Sequence, residues 1–533
     1  MKKGDILTAK KIVFLILSIL LLVAVIIGIV MMINLFRDEV DINDRAQEIF
    51  ADFTEKALKS PPEKLTSREQ KLADNWSKVE GTCLSFMDGI VKKYANGEID
   101  RKNAESALRA FLLYPLSGGQ LTAYTSRVDS IAQGREKYES AQNTEDKTEK
   151  LLLLSYVSSE DSLYYPKAKE ALASADATEE LRSIITKYKI EYKISDAQAL
   201  LGMLSGLWEK EDIDKLQADL KEYKEWQEDT TTYAGSIEVL YIRNLMAYPE
   251  ITYSASCAYT DSFDSALITP FEFKKILEGL YERNYILIKA EDLVKDGKTA
   301  SVEIPKGKRP VVLMIEDLTF PSSKSGNGTV DRIGFDEDGK LCTYTGTQIS
   351  YDNESPLILD SFIYEHPDFT FRGARGCISL TGFDGVFGYR TQKGDNVDEA
   401  KKVADYLKDE GWTFACNSYG YADMSKKTLD QVKDDTEKWK DEVGSIVGDV
   451  SVYIWPYGSS VRKGEVHEYL FSQGFTLFCG VGSTPYRQNE PDGNGVFVDR
   501  KALSGYSLQN RSDSFSDLFD ADSVIDEIRE SKQ

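Results

Sequence analysis

The stretch TFACNSYGYADM, Thr413–Met424, runs from an apolar segment into a polar tip that carries Asn417 and Tyr421, four residues apart. That spacing after a strand end is how many enzymes present two metal-binding histidines, and here an amide and a phenol hold the two places. Other chemically able groups close other apolar runs: the adjacent carboxylates Glu316-Asp317, then Thr381-Gly382, Trp455-Pro456-Tyr457-Gly458 and Asp499-Arg500. If the runs are parallel strands, all five groups meet on one rim, because parallel α/β folds gather their functional residues beyond the strand C-termini.

The elements that must position these groups follow from periodicity. Apolar runs at 309–317, 375–382, 413–418, 450–456, 475–481 and 495–500 read as strands. Amphipathic helices lie between them, as in VDEAKKVADYLKDEG, whose Val397, Ala400, Val403, Ala404 and Leu407 share one face. Repeated strand–helix alternation predicts a parallel sheet, closed as a barrel or doubly wound. The inserted RIGFDEDGKLCTYTG reads as a hairpin; its acidic turn lacks the ligand spacing and closing Glu of a calcium loop. Residues 37–229 are helical in pattern throughout, and residues 230–236, TTTYAGS, read as a linker to a domain over 237–533.

Ile12–Leu35 carries no charge over 24 residues. As a helix it reaches about 36 Å, enough to cross a ~30 Å hydrocarbon core. Lys2, Lys3, Lys10 and Lys11 precede it, while Arg37 and then Asp38, Glu39 and Asp41 follow. Residues 1–11 are therefore expected in the cytoplasm, 12–36 in the membrane and the rest outside. The run is too long for a signal peptide core and lacks a small-residue cleavage site. A formal charge of −23, from 88 acidic and 65 basic residues, argues against a nucleic-acid partner. The six cysteines show no C-x-x-C pair and read as buried apolar side chains.

Three motifs, in this order and spacing, resemble those of the polysaccharide deacetylases among the carbohydrate esterases. VLMIEDL (312–318) stands where that family has an apolar strand ending in T-F-D-D-G, NSYGY (417–421) where it has H-[ST]-x-x-H, and IWPYG (454–458) where it has R-x-P-Y-G. The resemblance covers about 237–500 and implies a distorted (β/α) barrel of about seven strands, preceded here by the all-α region and the membrane helix. It also implies hydrolysis at a zinc-type metal held by one Asp and two His, with a second carboxylate as base.

Carried onto this chain, Glu316 takes the base position and Asp317 the metal-ligand position, while Asn417 and Tyr421 replace both imidazoles. Asn offers a neutral carbonyl oxygen, and Tyr must first lose a proton with an ordinary pKa of ~10. Ile454 replaces the third motif's Arg, so the base loses its usual charged partner. Tyr457 is retained, with its backbone N–H facing an oxyanion. The only two histidines, His366 and His467, follow no strand end and read as surface or capping residues.

The expectation is a membrane protein whose barrel binds cell-wall or surface polysaccharide and no longer cuts it. Asn417, Tyr419, Tyr421, Trp455, Tyr457 and Arg500 would contact the sugar, with no cofactor. Two alternatives stand beside it. One is an active deacetylase with altered ligands around Asp317 and a divalent metal. The other is a structural module whose helical region carries a protein partner.

Overall fold

The computed structural model describes residues 3–394 and 396–531. The chain packs as two units, one of Met1–Ser183 with Ala199–Asp214 and one of Ile184–Gln198 with Lys215–Gln533.

The first unit is helical. Its opening helix, Lys3–Lys59, includes Phe14–Met32, which is long and apolar enough to cross a membrane and is wholly unburied. The later turns of that helix place Phe50 and Phe53 against Cys83, Met87, Leu108 and Phe111 in a dry core. Side-chain caps start the short helices that follow: Thr66 and Glu69 form a reciprocal capping box, and Asp100 accepts from the Asn103 N–H.

The second unit contains a closed barrel of seven parallel strands: β1 (Glu238–Arg243), β2 (Arg309–Glu316), β3 (Cys377–Leu380), β4 (Thr413–Cys416), β5 (Val452–Ile454), β6 (Leu477–Val481) and β7 (Val496–Ala502). β7 pairs with β1, β1 with β2, and β2 with β3, which removes both sheet edges. Strands buried on both faces explain the near-continuous apolar runs. Side chains alternate all the same. Val312, Met314, Ala415, Ile454, Cys479 and Val498 fill one inner core. Leu313, Ile315, Cys416, Tyr453, Trp455 and Phe478 pack outward among helix residues.

Two boundaries differ from expectation. Thr230–Thr232 is not a free linker but a strand paired antiparallel with Glu303–Pro305. The end of the expected helical region belongs to the barrel unit: the buried Gln227 donates to the Thr370 carbonyl and accepts from the Arg372 N–H. The hairpin is present as Arg332–Phe335 and Leu341–Thr345. In its turn Asp336 accepts from the Asp338 and Lys340 N–H groups and from the Tyr351 hydroxyl, so the carboxylate is spent on the turn. All six cysteines are free thiols, and all but Cys257 are buried.

Candidate functional site

The inner alternation carries Arg243, Glu316, Asn417 and Arg500 to the mouth of the barrel. They stand two residues beyond the inward Tyr241, Met314, Ala415 and Val498 on β1, β2, β4 and β7. Glu316 is their hub. One carboxylate oxygen, Oε2, accepts from Arg500 Nη1 at 2.9 Å. The other, Oε1, accepts from the Tyr421 hydroxyl at 3.1 Å and from Arg243 Nη2 at 3.4 Å. The same Arg243 nitrogen donates to the Tyr421 oxygen at 3.2 Å. Arg500 is fully buried, with its Nε on the Gly480 carbonyl and its guanidinium over the Tyr241 ring. Burial alone would raise the Glu316 carboxyl, but Arg500 and Arg243 outweigh it and hold the group below its usual range.

Glu316 was expected to have lost its charged partner with Ile454, yet it has two. Arg500 reaches it from β7 and Arg243 from β1. Arg500, expected to touch sugar, is committed to this pair. Arg243 is a site residue that the strand reading missed; it closes EVLYIR, a short run directly after the supposed linker.

Asp317 adopts a left-handed backbone, φ +64°, and accepts from the Thr381 hydroxyl at 2.9 Å. Burial raises its carboxyl against that hydrogen bond. Ser418 (φ +57°), Tyr421 (φ +49°) and Tyr457 (φ +59°) share the left-handed conformation, which costs a non-glycine residue on the order of 1 kcal/mol. The turn is fastened from below: Asp435 of the helix Leu429–Trp439 accepts from the Tyr419 and Gly420 N–H groups. The Tyr419 carbonyl takes the Gly382 N–H, and a Cβ on Gly382 would lie 2.3 Å from the Tyr419 ring.

The aromatic residues divide. Tyr457 is 68% exposed and stands edge-to-face on Tyr421 at 4.7 Å. Trp455 is fully buried against Tyr453 and Phe478 and cannot present a face to sugar. The reason is parity: Ile454 points inward, so Trp455 points to the helices. Tyr419 is also buried, and its hydroxyl donates to Glu442 at 2.7 Å.

The donor set does not fit a Lewis-acid metal. Burial and the Glu316 charge both push the Tyr421 phenol up, which keeps it a hydrogen-bond donor rather than a phenolate. Asn417 is buried with neither amide atom hydrogen-bonded among the described residues. A dication beside Glu316 would meet two guanidiniums. Among the described residues no group of three or more His, Cys, Asp and Glu is placed to hold an ion. His366 caps the helix Ser355–Glu365 and packs on Tyr281 and Phe362. His467, expected as a surface or capping residue, is fully buried, with Nδ1 2.9 Å from Asp492 Oδ2.

No family model and no curated protein matches the chain. In fold, the chain is similar to solved deacetylases. A polysaccharide deacetylase from Bacillus cereus shows 13% identity over 53% of this chain and 69% of its own, with a TM-score of 0.32. A deacetylase from Streptococcus pyogenes, solved in complex with acetate, shows 13% identity over 52% of this chain and 98% of its own, with a TM-score of 0.30.

Proposed function

We propose that the chain is a membrane-anchored, extracytoplasmic deacetylase-like protein that binds cell-wall or surface glycan at the barrel mouth without hydrolysing it. The helix Phe14–Met32 would be the anchor, with its lysine-rich start in the cytoplasm. One observation carries the reading. Arginines hold both oxygens of Glu316, and one of them also holds Tyr421. One arginine is the usual partner of the family's base, but here two guanidiniums and the Tyr421 hydroxyl take both Glu316 oxygens, so neither is left open to a water. The exposed Tyr457 ring offers the apolar face that a sugar stacks on.

Full-length protein in detergent, given N-acetylglucosamine oligomers with zinc, cobalt, manganese or no metal, should release no acetate above background while retaining the oligomer in a pull-down. Metal-dependent turnover would overturn the reading in favour of an active hydrolase with altered ligands.

A further inference from the structure

We infer that the glycan bound at the mouth is anionic, a sugar bearing a carboxylate or a phosphate, and that Arg243 reads the charge. This rests on the glycan-binding reading and names its ligand class.

The arginines at the mouth are not equivalent. Arg500 is buried and spent on Glu316 Oε2 and the Gly480 carbonyl. Arg390 is spent on the carbonyls of Thr319, Phe320 and Asp384. Arg243 differs: both of its hydrogen bonds use Nη2, and the one to Glu316 is long, at 3.4 Å. Its Nε and Nη1 have no partner among the described residues, and its side chain is 42% exposed.

Because Arg500 already balances Glu316 at short range, the guanidinium of Arg243 is in excess. Its unused N–H groups, on Nε and Nη1, can each donate a charge-assisted hydrogen bond to a carboxylate or phosphate. Lys324, near Asp317 and Asp384, is a second cation; it makes no salt bridge among the described residues, and burial lowers its ammonium. The Tyr457 ring stands on Tyr421, whose oxygen Arg243 holds, so an aromatic platform and a spare cation lie side by side. That pairing suits one charged sugar residue. A chain of net charge −23 repels anions at long range, so a preference for one has to come from such a local contact.

The test is calorimetric titration of the full chain in nanodiscs with three probes of similar length: neutral N-acetylglucosamine oligomers, glucuronate-containing oligomers and glycerol-phosphate-bearing oligomers. At least one charged probe should bind about tenfold or more tighter than the neutral one, as expected for a charge-assisted hydrogen-bonded pair. Which charged probe wins identifies the anion. Arg243→Gln should remove the preference, read as the ratio of charged to neutral affinity within the same variant, and Arg243→Lys should keep part of it. Lys324→Gln, which breaks no ion pair, should weaken only the charged probes and serves if Arg243→Gln fails to fold. Equal affinity for charged and neutral probes in the unaltered protein overturns the inference and leaves the glycan-binding reading intact. An undiminished preference in both Arg243→Gln and Lys324→Gln also overturns it. Binding of none of the three probes overturns both.

Discussion

The helical unit and the barrel unit obey different local rules. In the first, several helices begin at side-chain caps, residues from Ala46 to Ile131 share one apolar core, and no non-glycine residue among those described has a left-handed backbone. All eleven such residues lie in the second unit, and Asp317, Ser418, Tyr421 and Tyr457 cluster at the mouth. The strands that support them are mostly apolar on both faces, with Ser379 in β3 and Asp499 and Lys501 in β7 as polar exceptions. Regularity stops at the end of each strand, where Arg243, Glu316, Asn417 and Arg500 replace the apolar series. Left-handed residues and charges buried together at one end of the barrel are what a binding site imposes on a fold. Among the described residues of the helical unit a buried charge pair exists, Arg135 with Asp161, but no left-handed non-glycine residue accompanies it.

The largest test of this contrast removes a cation. Arg500→Met leaves Glu316 buried beside the long Arg243 contact and should cost about 3–5 kcal/mol in chemical denaturation. Arg127 in the helical unit pairs with Asp88 and Glu160 but is partly exposed, so Arg127→Met should cost no more than about 1 kcal/mol. Equal costs would erase the distinction between the units.

A second test uses pH. Glu354 is fully buried, accepts from the Leu245 N–H just beyond Arg243, and is pushed by burial from its ordinary 4.5 up to about 7. Between those values the folded protein holds a proton that the unfolded chain has lost. Stability therefore falls as pH rises through that window, by about 3 kcal/mol from this group. Glu354→Gln should flatten that part of a stability-versus-pH curve, and an unchanged slope would show that Glu354 does not supply it.

The smallest effect on stability, and the most telling, is at Tyr457. Tyr457→Gly gives up an edge-to-face contact worth about 0.5–1.5 kcal/mol but relieves roughly 1–2 kcal/mol of left-handed strain. Stability should stay within about 1 kcal/mol while glycan affinity drops. A large loss of stability would make Tyr457 a packing residue instead.

Much of the mouth was legible in the sequence because strand ends can be read from alternation. Glu316, Asp317, Asn417, Tyr421 and Tyr457 stand together where parallel strands had to deliver them. Arg243 was not legible. EVLYIR is six residues long, follows a polar stretch, and is a strand by virtue of partners as distant as Lys501. The burial of Trp455 was available from parity, since an inward Ile454 forces its neighbour outward. The burial of His467 was not legible, because its partner Asp492 reaches it from a loop 25 residues on. The two partners of Glu316 were hidden for the same reason: pairs across a closed barrel leave no local pattern.

Barrel closure has a consequence for when the site exists. Arg243 lies on the first strand and Arg500 on the last, and that seam joins Glu238 to Lys501 across 263 residues of chain. Bringing ends so far apart together is entropically slow compared with local helix formation. A nascent chain that has made its helices and most of its strands still lacks the assembled mouth. Ligand recognition thus requires that seam to be closed, which makes binding itself a report on closure of the barrel.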